Sequence, residues 1–159
     1  MKKLILLLLF IPIVSIGQDN FLAKANKEFQ GNNYDKAIIY SLKVLDKTPD
    51  NAVALSIIQL SFHFLDRFEI SIEYGDRFLL LTQNKQLENK KLNTLVFYYQ
   101  GLNYFFLKQK EEACSFFNLA VLVGDISVLT TKQKKCGLVS RNIIPAAIEV
   151  ICHGKDVIH

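Results

Sequence analysis

Ala37 and Ser71 stand 34 residues apart, and similar orders of large and small side chains surround both. A third stretch can be laid over the same pattern. The first runs from Phe21 to Ala37 and on to Thr48-Pro49. The second holds Leu55 to Phe62 and then Arg67 to Ile72. The third holds Phe97 to Tyr104 and then Glu112 to Ala120. Internal repetition at this period marks a chain of stacked supersecondary units, none of which buries its apolar face alone. Ser71 to Ala113 is 42 residues, eight more than the first spacing, and the surplus falls in 83–91. Two extra helical turns take up ~7 residues. The spacing therefore predicts longer flanking helices there rather than a long loop. Within the units, Ala37, Ile38, Tyr40, Ser41, Val44 and Leu45 recur at steps of three and four, the period of a helix with one buried face.

On these residues the chain resembles the tetratricopeptide repeat (TPR) family, a helix–turn–helix unit with large, Gly, Tyr, Ala, Phe and Pro positions at set offsets. The third unit matches best, with Phe97, Gly101, Tyr104, Ala113, Phe117 and Ala120; Asp125 stands where Pro is usual. The first keeps Phe21, Ala25, Tyr34, Ala37 and Pro49. The second is weakest: it keeps Leu55, Ile58 and Phe62, but has Gln59 for the small residue and Ser71 for the alanine. The resemblance implies an all-α fold of antiparallel helical hairpins stacked as a short right-handed solenoid. Three units are expected, at about 18–51, 52–85 and 94–127.

The packing logic agrees. Two helices cross closely only where their side chains are small, so Ala25, Ala37, Gly101 and Ala113 are expected at the crossings, with Tyr104, Phe117 and Ala120 filling the spaces around them. Gly75, inside a helix, costs about 1 kcal/mol against Ala, which implies a close approach or a soft spot. Asn33, with Asp35 in the first turn, is expected to cap one helix, and Asp50-Asn51 another. Ile126 to Cys136 reads as a further helix, with Lys132, Lys134 and Lys135 in its last turns and Gly137 as its stop. Val128 and Leu129 would close the last apolar face of the stack. In the tail, 138–159, Pro145 is placed like the first residue of a short helix.

The N-terminus carries an address. Lys2 and Lys3 precede the apolar run Leu4–Val14, and Ser15-Ile16-Gly17 follows with small residues at the two positions a signal peptidase inspects. Cleavage is expected between Gly17 and Gln18. The run is shorter than the ~20 residues of a spanning helix and contains Pro12, so no stable membrane span is expected after cleavage. No Cys stands at the cleavage point for lipid attachment. The short Lys-Lys start resembles bacterial leaders, and the expected location is a periplasm or outside the cell. Of the 159 residues, 50% are hydrophobic, which excludes a disordered chain. The net charge of +4 includes Lys2 and Lys3. The rest is nearly balanced, without the basic stripe of a nucleic-acid binder.

No side-chain pattern points to catalysis or a cofactor. His63 has no Cys, Ser or acid arranged near it in sequence as a triad. No glycine-rich phosphate loop or paired helical His appears. Lys85, Lys90 and Lys91 read as a solvated turn. Cys152, His153 and His159 fit no zinc spacing. No enzyme activity, metal or cofactor is expected. Related helical-repeat proteins with Ala-Cys in a second helix and a later Cys staple their helices, which implies a Cys114–Cys136 disulfide. Two buried thiols are the alternative. Cys152 would then be free or paired between molecules.

In the family, the first helix of each unit lines a concave groove. By position that lining is Leu22, Asn26 and Phe29; Ser56, Leu60, His63 and Phe64; and Tyr98, Leu102, Phe105 and Phe106. Family members that grip a C-terminal carboxylate use Lys, Asn and Arg in the groove. Here only Asn26 matches, against Leu22, Ile57, Leu95 and Tyr99, so carboxylate clamping is not expected. The implied function is a non-enzymatic scaffold that binds an apolar or amphipathic segment of a protein or peptide partner. Self-association into an envelope assembly, coverage by the chain's own tail, and a helper role in folding or secretion remain alternatives.

Overall fold

The computed structural model describes residues 18–83, 89–123 and Cys152. Six helices follow one another: α1 (Gln18–Gln30), α2 (Tyr34–Leu45), α3 (Ala52–Phe64), α4 (Phe68–Gln83), α5 (Lys90–Phe106) and α6 (Lys110–Val123). No strand occurs among the described residues. The helices pair as three hairpins, α1/α2, α3/α4 and α5/α6. The hairpins stack through α2 on α3 and α4 on α5. The first helices also touch one another in order, α1 on α3 and α3 on α5. The leader, the expected cap helix with Val128 and Leu129, Cys136, Lys85 and the tail other than Cys152 lie outside the described residues.

Each hairpin turns on the same backbone device. Asn33 donates its backbone N–H to Glu28 O at 2.9 Å, and Asn32 donates to Phe29 O at 3.1 Å. Arg67 to Phe62 with Asp66 to His63, and Gln109 to Tyr104 with Lys108 to Phe105, repeat the pair. This is a Schellman closure, which needs a left-handed residue just past the helix. Asn32, Asp66 and Lys108 fill that place with φ of 60°, 57° and 62°. They are 34 and 42 residues apart, so the backbone carries the same repeat as the side chains. The surplus residues of the longer interval go into helix, as expected. α4 and α5 have 16 and 17 residues, against 12 to 14 in the other four. The first helix of the third hairpin begins at Lys90.

The close crossings fall where small residues stand. Ala25, Ala37, Ala113 and Ala120 are buried, as is Phe117. A Cβ on Gly101 would come within 2.6 Å of two ring carbons of Phe117 and 3.1 Å of Ala113 O. Tyr104 is half-buried and stacks on Phe116, ring centroids 5.4 Å apart. The main core joins all three hairpins through Ile38, Val44, Leu45, Leu55, Ile58, Phe78 and Val96.

The two expected caps divide. Asn51 Oδ1 accepts the N–H of Ala54 at 2.9 Å and caps α3. Asn33 does not cap α2. Its Nδ2 donates to Glu28 Oε2 at 2.9 Å instead. The closure of α1 holds the Asn33 backbone at φ −87°, ψ 66°, outside the extended conformation that turns a cap side chain into its helix. Asn89, unremarked in the sequence, caps α5 by accepting from Leu92 N at 3.0 Å.

Candidate interaction face and the polar seam beneath it

A run of aromatic residues from all three hairpins gathers at the end of the stack where the hairpins turn. Phe29 ends α1 and Tyr34 begins α2, with centroids 5.7 Å apart. Tyr34 stacks on Phe64, the last residue of α3, at 5.0 Å. Phe64 meets Tyr99 of α5 at 5.5 Å. His63 lies edge-on to Tyr99 at 4.7 Å and beside Phe68, the first residue of α4. Phe68 stacks on Phe106 at 4.8 Å, and Phe106 adjoins Phe105. The run thus crosses all three hairpins. Its outer rings are accessible: Phe64 is 37% exposed, Phe105 41% and Phe106 51%.

The eleven expected lining residues separate into four groups. Phe29, His63, Phe64, Phe105 and Phe106 come together in this run. Ser56 and Leu60 are buried and Leu22 is half-buried against the core; His63, within the run, is buried beneath its rings. Ser56, Leu60 and His63 thus present little surface, although their positions in the unit place them toward the groove. Asn26 is exposed and stands outside the aromatic run. Tyr98 and Leu102 are half-buried and pack with Phe117 and Cys152. Tyr34, Phe68 and Tyr99 belong to the face although sequence position did not place them there. Tyr34 and Phe68 begin second helices, which join the face only because each hairpin turns tightly.

Cys152 also corrects the expected bridge. It is bonded to Cys114, with Cα atoms 5.4 Å apart, so Cys136 is not the partner of Cys114. The physical reason is packing: Cys152 lies in the cluster of Tyr98, Leu102, Tyr104, Ala113 and Phe117 around α6, within reach of Cys114.

Beneath the rings runs a buried polar seam between the second and third hairpins. Gln59 Nε2 donates to Gln100 Oε1 at 2.9 Å and to Val96 O at 3.2 Å. Gln100 Nε2 donates to Asp76 Oδ1 at 2.8 Å and Ile72 O at 3.1 Å. Ser71 Oγ donates to Gln59 O at 2.7 Å and accepts from Asn103 Nδ2 at 2.7 Å. Asn103 Oδ1 lies 2.6 Å from His63 Nδ1. Gly75 leaves the room: a Cβ there would land in the Gln100 carboxamide and 2.7 Å from Gln59 Nε2. The departures of the second unit from the repeat pattern, Gln59, Ser71 and Gly75, are therefore one object. Gly75 marks a close approach.

The direction of the seam fixes what it can do. Asn103 donates to Ser71, so its carbonyl oxygen faces His63 and Nδ1 of the neutral imidazole is the donor. Burial holds the His63 pKa below its ordinary value, while the Asn103 contact and Asp66 oppose the shift. Burial raises Asp76, and the hydrogen bond from Gln100 opposes it. Tyr104 is raised by burial and by Asp76 and Glu112. The Ser71 proton points to a backbone carbonyl rather than to a base, so the seam joins helices and does not activate a nucleophile. Among the described residues, no three His, Cys, Asp or Glu side chains gather as a metal site.

Helical hairpins of this period, closed by one repeated turn and stacked with the second helix of each on the first helix of the next, define a TPR-like solenoid. The chain is similar in structure to the first TPR domain of the human RPAP3 protein, with a TM-score of 0.58 and 21% sequence identity; the match covers 81% of this chain and 92% of that one. No protein-family model matches the sequence, and no curated protein matches it either.

Proposed function

We propose that this chain is an exported, non-enzymatic binding module that takes an apolar or amphipathic protein segment on the aromatic face at the turn end of the stack. The observation that carries the reading is the run from Phe29 to Phe106, which crosses three hairpins and leaves Phe64, Phe105 and Phe106 accessible. Large rings with low conformational entropy are effective anchors for a docked segment. The TPR-like fold supports the same reading. Export is supported by the expected leader and by the Cys114–Cys152 disulfide, which persists in an oxidising compartment. No helix among the described residues is long and apolar enough to cross a membrane.

The test is selection from a displayed peptide library, comparing wild type with Phe64→Ser, Phe105→Ser, Phe106→Ser. All three rings are exposed, so the variant keeps its core; circular dichroism checks that it folds. Apolar or amphipathic sequences enriched on the wild type and lost on the variant support the reading. Equal enrichment on both refutes it. Self-association has its own observation: α6 presents Leu119, Val121 and Leu122 outward, the last 82% exposed. A concentration-dependent dimer by sedimentation, abolished by Leu122→Ser, marks that alternative.

A further inference from the structure

At the opposite end of the first hairpin from the aromatic face, three lysines converge on one pair of rings. Phe21 of α1 and Tyr40 of α2 stack with centroids 6.2 Å apart. Lys24 Nζ stands 5.7 Å from the Phe21 centroid and 5.8 Å from that of Tyr40. Lys43 Nζ stands 5.3 and 5.8 Å from the same two rings. Lys47 Nζ stands 5.8 Å from Phe21. Three ammonium groups around one ring repel one another. Cation–π attraction to the rings offsets part of that. Helix dipoles account for Lys43, in the last turn of α2, but not for Lys24 in the second turn of α1. On α2, Ile39 and Leu42 are exposed close to Lys43 in sequence.

We propose that this patch docks on the phosphate headgroups of an anionic lipid bilayer. The chemistry selects that source. All three cations are lysines, which attract phosphate as point charges, whereas the registered, two-pronged grip on carboxylates is characteristic of arginine. Half-buried rings and exposed aliphatic side chains beside lysines suit the headgroup boundary. This surface is distinct from the aromatic face, so either assignment can fail alone.

The test is amine-acetylation footprinting, by mass spectrometry, of the chain from Gln18 onward, its expected mature form. It is run without vesicles, with phosphatidylcholine vesicles and with phosphatidylglycerol vesicles. Apolar association with lipid is common to both kinds of vesicle, so their difference reports the lysine patch. Lysines at an anionic surface each gain about a fivefold preference for it. The labelling rates of Lys24, Lys43 and Lys47 are expected to fall about fivefold on phosphatidylglycerol alone and to recover in high salt. Lys108 and Lys110, in the third hairpin, are expected to hold their rates. Equal protection on both vesicles, or none on either, overturns the proposal. Protection by inorganic phosphate alone reassigns the patch to a small anion, and protection by polyglutamate to an acidic segment; both overturn it. A folded Lys24→Gln, Lys43→Gln, Lys47→Gln variant is expected to lose the salt-sensitive part of its binding to phosphatidylglycerol. Undiminished binding overturns the proposal too.

Discussion

Replacing Gly101 by Ala sets two effects against each other. Helix propensity favours Ala by about 1 kcal/mol at an interior position. Sterics oppose it: the new methyl carbon would lie 2.6 Å from Cδ1 and Cε1 of Phe117, about 1 Å inside ordinary carbon contact. Phe117 is buried, and the Ala113 carbonyl stands 3.1 Å away on the same side, so neither ring nor helix has an open path. Overpacking of this kind costs about 3 kcal/mol at the upper end of its usual range. The net expectation is a loss of about 2 kcal/mol. That is a fall in melting temperature of about 6 °C, read by circular dichroism. The loss belongs to the α5/α6 crossing, so amide exchange should quicken there before it does in α1 and α2. Phe117→Leu in the same chain makes room, and the double variant is expected to recover part of the loss. A Gly101→Ala protein as stable as wild type, or more so, would refute the reasoning.

Further expectations follow from the same geometry. Asn51→Ala removes a bonded cap and should cost about 1 kcal/mol, whereas Asn33→Ala, which removes only an exposed contact to Glu28, should cost clearly less in the same urea titration. His63 has a lowered folded pKa, so its contribution is present above the unfolded value of about 6.5 and is lost as pH falls from there toward the folded value. The urea midpoint should drop across that window in wild type and drop less in His63→Gln; equal slopes would exclude His63 as the source. Peptide mapping without reductant should recover Cys114 joined to Cys152, with Cys136 alkylated; a Cys114–Cys136 peptide would overturn the bridge. Closing a separation of 38 residues restricts the unfolded chain, so Cys152→Ser should cost about 4 kcal/mol.

Much of the fold was legible because it is local. The spacing of Ala37 and Ser71, the small residues at the crossings, and the surplus of helix between Ser71 and Ala113 follow from helical periodicity. Each hairpin closes between residues near one another in sequence. The candidate face was legible in part. Phe64, Phe105 and Phe106 were marked by position in their units. Tyr34 and Phe68 were not, because they lie on second helices and reach the face only through the turn geometry. Ser56 and Leu60, expected in the lining, are buried for the converse reason: a period shows which side of a helix a residue occupies, but not how far along that side the neighbouring helix covers it.

By itself the sequence determined the unit, its period, its all-helical character and the places where helices approach closely, since propensity and residue size act over one or two turns. Tertiary structure decided the pairings between distant positions. Gln59 with Gln100 and His63 with Asn103 join residues 41 and 40 apart, and each has value only because its partner is buried beside it. The same holds for Cys114 and Cys152, whose bond depends on where the third hairpin packs rather than on any spacing in the chain. Hydrogen bonding and burial are properties of a pair in space, and one-dimensional periodicity carries no record of the partner.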